Sequence, residues 1–182
     1  EKPVEFVSDL AIIGIYYFND GENLMKELQF LIDNNIKDKG EYQLTNALEN
    51  MKQKGKIFSI GTVDEWLDCG NKDATVYTSQ RVLEHNKNTR MVNENVDLIN
   101  SEIIEPCYIA NGITIKNSKI GPHVSIDSGS IIEDSEISNS IIQSKSTIKN
   151  AKLKNSMVGN HTFFDGHKVD QEISIGDFCE IR

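Results

Sequence analysis

The sequence predicts a mainly β chain wound as a coil with three flat sides over residues 103–182, preceded by an incomplete α/β segment over residues 1–86. Three observations carry this. Aliphatic side chains return at steps of six, five and five through Ile126, Ile132, Ile137, Ile142, Ile148, Leu153 and Val158. Short Asn/Asp-containing pairs precede these positions. The first half carries helical spacings and one long apolar run. A helix would need apolar returns at three and four, and a flat strand at two. A repeat of about sixteen residues made of three sub-repeats stacks Ile126 on Ile142 on Val158, Ile132 on Ile148 and Ile137 on Leu153.

The corners are Asn117-Ser118, Asp134-Ser135, Asn139-Ser140, Asn150-Ala151 and Asn155-Ser156. Asn and Asp tolerate left-handed dihedrals and satisfy nearby backbone groups with short side chains, which tight corners require. Each inward Ile contributes roughly 1.5–3 kcal/mol of burial, against about 1–2 kcal/mol of backbone entropy per ordered residue. One coil alone would not hold, whereas several stacked ones can. The pattern resembles the hexapeptide-repeat left-handed β-helix, and the handedness comes from that resemblance. The competing reading is a β-sandwich with Ile-rich strands.

In the first half, Ala11 to Phe18 is a nearly continuous apolar run, as expected for a strand covered on both faces. Asn19-Asp20-Gly21 supplies a turn and an N-cap. A helix over 21–34 follows, with Leu24, Leu28 and Leu31 on one face. Residues 40–54 predict a second helix with Leu44, Leu48 and Met51 inward, ended by Gly55. Residues 56–60 read as a strand. Asn71 caps a third helix to about residue 86, with Val76 and Leu83 inward. Residues 87–102 are polar and read as a linker. Val169, Ile173 and Ile175 are expected in a final coil or cap.

Composition narrows the function classes. The formal net charge of −9 disfavours nucleic-acid partners. No apolar run is long enough to span a membrane. Cys69, Cys107 and Cys179 show no paired spacing, which suits reduced thiols in a cytoplasm and no zinc site. The start at Glu1, without Met, leads to the expectation of a piece of a longer chain.

Three strings carry candidate chemistry: Glu1-Lys2-Pro3, Gly40-Glu41-Tyr42-Gln43-Leu44-Thr45 and Trp66-Leu67-Asp68-Cys69-Gly70. Taken singly they read as a solvated pair, a helix-dipole charge at Glu41 and a turn. Together, with Gly14 eleven residues after Pro3, they are similar to the second half of the catalytic domain of sugar-1-phosphate nucleotidyltransferases, the glucose-1-phosphate thymidylyltransferase group. That resemblance spans roughly residues 1–85, and many members of the superfamily also carry a β-helix. It implies that Glu1 holds sugar hydroxyls and Lys2 contacts phosphate oxygens as a compact charge on a flexible stem. Backbone near Ile12 would lie against the sugar, Gly14 would allow close approach, and Glu41 would contact hydroxyls. Asp68 would bind Mg²⁺ with a second carboxylate from upstream. The substrates would be a nucleoside triphosphate and a sugar 1-phosphate, joined by in-line attack with release of pyrophosphate, so that Lys2 and Asp68 are the catalytic candidates.

The chain departs from the pattern in three ways. It holds no Gly-x-Gly, so it lacks the triphosphate loop, it lacks the first metal carboxylate that the group carries in mid-domain, and it has Asn46 where the group usually has Asp. These 182 residues are therefore expected to be inactive alone. Two other classes compete. Hexapeptide-repeat acyltransferases use a His base, for which His123 in Gly121-Pro122-His123, His161 and His167 are candidates. A non-catalytic β-helix would serve assembly or regulation, and a homo-oligomer through the β-helix is expected.

Overall fold

The computed structural model describes residues 5–6, 8–10 and 12–182. The chain divides into two compact units, residues 1–66 and 67–182.

The first unit is built on two helices. Helix α1, Gly21–Asp33, begins where Asp20 accepts the Asn23 N–H in its side chain, as the capping pattern predicts. Helix α2, Leu44–Gln53, starts later than expected because Asp38 and Glu41 exchange backbone hydrogen bonds and Gly40 lies at φ +86°. Leu31, Ala47 and Met51 are buried where α1 and α2 meet. Glu27 is buried beside them, and Lys54 donates to both of its oxygens at 2.6 and 2.8 Å. Neither predicted strand forms. The described part of 11–18 and all of 56–60 are irregular, and Ile57 is 95% exposed. A strand needs another strand to take its backbone groups, and the described residues of this unit provide only the isolated Asp38–Glu41 bridge.

The second unit opens with helix α3, Lys72–His85, capped by Asn71, whose side chain accepts the Ala74 N–H. The rest is a left-handed parallel β-helix of about five turns. Its first sheet stacks Val96–Ile99, Ile113–Lys116, Ile131–Glu133, Thr147–Lys149, Phe163–Asp165 and Glu180–Ile181. The second stacks Glu102–Ile103, Lys119–Ile120, Glu136–Ser138, Lys152–Lys154 and Asp170–Gln171. The third stacks Cys107–Ile109, Val124–Ile126, Ser140–Ile142, Met157–Val158 and Ser174–Ile175. The stretch read as a linker thus holds the first strand, and the tail completes a turn.

The expected stacks are present. Ile132 pairs with Ile148, Ile137 with Leu153, and Ile142 with both Ile126 and Val158. All five expected corner residues, Asn117, Asp134, Asn139, Asn150 and Asn155, lie at φ between 42° and 49°. The serines beside them point inward and link turns. Ser118 Oγ accepts the Ser135 N–H and Ser135 Oγ accepts the Ala151 N–H, each at 3.0 Å. Burial without cost to the hydroxyl follows, because each also donates to a backbone carbonyl. Outside, charge alternates from turn to turn. Lys116, Glu133, Lys149 and Asp165 follow one another on the first sheet, and Glu102, Lys119, Glu136, Lys152 and Asp170 on the second.

Candidate functional site

Of the residues singled out by the sequence, Glu1 and Lys2 lie outside the described residues. Ile12 is 66% exposed. Gly14 sits at φ +81°, with nothing near the place of a Cβ, so the dihedral is what requires glycine there. Glu41 precedes α2 by more than a cap position, and its carboxylate accepts from the Gln43 amide at 3.2 Å. Glu41 thus lies outside the first turn of α2, two residues before the N-cap Gln43. Ile12, Gly14 and Glu41 belong to the first unit and Asp68 to the second.

Asp68 is exposed and lies just before α3. Its carbonyl accepts the Thr78 hydroxyl at 2.9 Å, and the Cys69 carbonyl faces Thr75 Oγ1 at 3.3 Å. Its carboxylate offers the hard oxygen donor that Mg²⁺ prefers. Among the described residues, no group of three His, Cys, Asp or Glu side chains could hold a metal ion. One exposed carboxylate does not complete a Mg²⁺ site.

The strongest polar pairing near a candidate residue is elsewhere. His123 Nε2 and Glu84 Oε1 are 2.6 Å apart, with side chains 16% and 31% exposed. His123 occupies a corner at φ +61° that is one residue longer than the equivalent corner a turn later, since Ile120 to Ile126 spans six steps and Ile137 to Ile142 five. Gly121 makes this corner possible. A Cβ there would meet the Ile104 carbonyl oxygen at 2.0 Å. The imidazole holds the Glu84 carboxyl below its ordinary range, chiefly through the hydrogen bond. The contact fixes the His123 imidazole against α3 through Nε2. His161 stacks on Phe178 at 4.9 Å, and His167 lies 3.8 Å from Asp165 with its side chain 69% exposed.

The sequence places Val76 and Leu83 on the inward side of helix α3. Its Lys72, Val76, Ser79 and Leu83, at steps of four, three and four, form one face. Lys72 donates to the Asn155 carbonyl at 3.0 Å and to Glu172, and the Ser79 and Ser125 hydroxyls meet at 3.1 Å. Val76 and Leu83 are each 3% exposed. Glu84, Thr78 and Lys72 were not identified from the sequence because their partners lie 10 to 100 residues away. Cys107 is buried, its thiol pushed up to about 11 by desolvation, and it donates to the Ile104 carbonyl. Such a thiol is structural, not nucleophilic.

The fold is a hexapeptide-type parallel β-helix, and comparison with curated proteins shows what the chain is similar to. Its relatives are glucose-1-phosphate thymidylyltransferases and bifunctional GlmU proteins. The thymidylyltransferase of Streptomyces griseus is 28% identical over 177 residues, covering 88% of this chain and 48% of that protein. GlmU of Limosilactobacillus reuteri is 27% identical over 93% of this chain and 40% of its own length. GlmU of Clostridium beijerinckii is 31% identical over 93% and 39%. The chain thus spans about half or less of the curated relatives it matches. No profile of a known protein family matches it.

Proposed function

We propose that this chain supplies the sugar-side wall and the β-helix of a Mg²⁺-dependent sugar-1-phosphate nucleotidyltransferase acting in the cytoplasm. The observation that carries this reading is the match to a glucose-1-phosphate thymidylyltransferase over 88% of the chain, a share too large to lie in the solenoid alone. Glu1, Ile12, Gly14 and Glu41 would line the sugar, Lys2 would meet phosphate oxygens, and Asp68 would give one carboxylate to the metal. When bound, Mg²⁺ would neutralise phosphate charge. The chain's own residues would hold and orient the sugar phosphate, which is the larger part of what such a reaction asks of a protein. The product would be a dTDP-glucose-like nucleotide sugar. These 182 residues, lacking a Gly-x-Gly triphosphate loop, would not turn over alone.

The reading also supports association of the protein with itself through the β-helix, and sedimentation at rising concentration reports it directly. The deciding assay measures pyrophosphate release from pairs of nucleoside triphosphate and sugar 1-phosphate. The natural gene product is expected to be active and the 182-residue chain inactive. Asp68→Asn in the gene product is expected to lower turnover by about 100-fold or more, the several kcal/mol a charge-stabilising ion supplies. Unchanged turnover would remove Asp68 from the site.

A further inference from the structure

We infer that helix α3 couples the Asp68 turn to the β-helix, with Thr78 and the Glu84–His123 pair as positioning residues. The functional weight of that coupling rests on the nucleotidyltransferase reading of Asp68; the mechanical part rests on geometry alone.

The chain of contacts is continuous and lies within the second unit. Thr78 Oγ1 donates to the Asp68 carbonyl at 2.9 Å, ten residues back, so the turn is tied to the body of the helix as well as to its first residues. Thr75 adds little, since its hydroxyl is 2.8 Å from the Asn71 carbonyl and 3.3 Å from that of Cys69, and one proton serves both. Six residues further on, Glu84 meets His123. Val76, Ser79 and Leu83 sit on the face that Lys72 and Ser79 attach to the solenoid.

A single polar contact at a protein surface is weak, but these act on a rigid rod. About 1.5 Å of rise per residue puts Lys72 and Glu84 roughly 18 Å apart along α3. At one end Lys72 holds Asn155 and Glu172, and at the other Glu84 holds His123. The helix therefore crosses several solenoid turns, and tilting it at the Glu84 end would drag the Thr78 bond. The corner one turn earlier spans the same six steps, Ile103 to Ile109, and holds Pro106 at this place, while the shorter corner a turn later is Ser138-Asn139-Ser140, so of the three His123 is the one that offers Glu84 an imidazole. His123 acts through the helix and is not itself a catalytic group.

The test is hydrogen exchange in the full chain, read at the amides of residues 68–74 and, as an internal control, in the solenoid strands around Ile132 and Ile148. Thr78→Val and Glu84→Ala are both expected to speed exchange at 68–74 by about 10-fold while the solenoid strands keep their protection. Thr78→Ser, which keeps the hydroxyl, is expected to behave as the parent chain. Glu84→Ala breaks the pair from the helix side, so the coil sequence stays intact. His123→Ala is expected to reproduce it and His123→Gln to restore most of the protection. Parent-like exchange at 68–74 in Glu84→Ala overturns the coupling whatever Asp68 does. In the whole gene product, Glu84→Ala is expected to lower the kcat of pyrophosphate release several-fold. Full turnover in Asp68→Asn removes the functional half of the inference and leaves the exchange result standing.

Discussion

Ile148 and Ile57 are the same residue under opposite conditions. Ile148 is fully buried, with Ile132 on one side and Phe164 on the other, while Ile57 is 95% exposed. The solenoid carries its own pairing rule, because each strand finds its partner one turn away in the same short stretch. The first unit carries two packed helices and apolar runs that pair with no strand among the described residues. Hydrophobic sequence marks a segment fit for burial, and the topology around it decides whether burial occurs.

The largest expected effect is on the solenoid side. Ile148→Ala should cost about 2–5 kcal/mol by combining lost transfer energy with a cavity, measured as a loss in thermal or denaturant unfolding of the second unit. Gly121→Ala should follow at about 1–3 kcal/mol, since its Cβ would overlap the Ile104 carbonyl and the backbone is at φ +107°. A destabilisation near zero there would mean that the His123 corner relaxes freely. Asn71→Ala removes the α3 cap and should cost roughly 1 kcal/mol. Ile57→Ala should stay within about 0.5 kcal/mol, and a larger loss would erase the contrast drawn from the two isoleucines.

Acid should sharpen the same comparison. Glu84 is held below its ordinary range by His123 first and by Lys87 to a lesser degree. A lowered carboxylate contributes stability above its unfolded value and loses it as pH falls through its folded value. Protection of α3 should therefore decline as pH falls through the acid side of the ordinary carboxylate range. Hydrogen exchange at stepped pH checks it, and Glu84→Gln should flatten the profile.

Much of this was legible in advance. The six-five-five spacing gave the three stacks, and the Asn and Asp corners lie where left-handed dihedrals occur. These are local signals repeated several times, and repetition is what makes a pattern readable. The inward serines were seen only as corner residues, since nothing in one Asn-Ser pair tells which way the hydroxyl points. The paired bridge 38–41, the late start of α2 and the Glu84–His123 bond depend on contacts between distant or irregular segments. No periodicity encodes them. The strands at 11–18 and 56–60 were read from apolar content, which reports a preference for burial and says nothing of a partner.

The turn-by-turn alternation of charge bears on how such a coil avoids folding out of step. Its inner columns are nearly uniform, with Ile115, Ile132 and Ile148 in one and Ile120, Ile137 and Leu153 in another. By themselves they would accept a chain that skipped a turn and bound the next one in its place. The outer columns distinguish the two outcomes. Skipping one turn would bring Lys149 against Lys116 and Lys152 against Lys119, where the native order sets Glu133 and Glu136 between them. Like charges directly opposite each other oppose pairing. The surface thus numbers the turns odd and even for an interior that cannot count them.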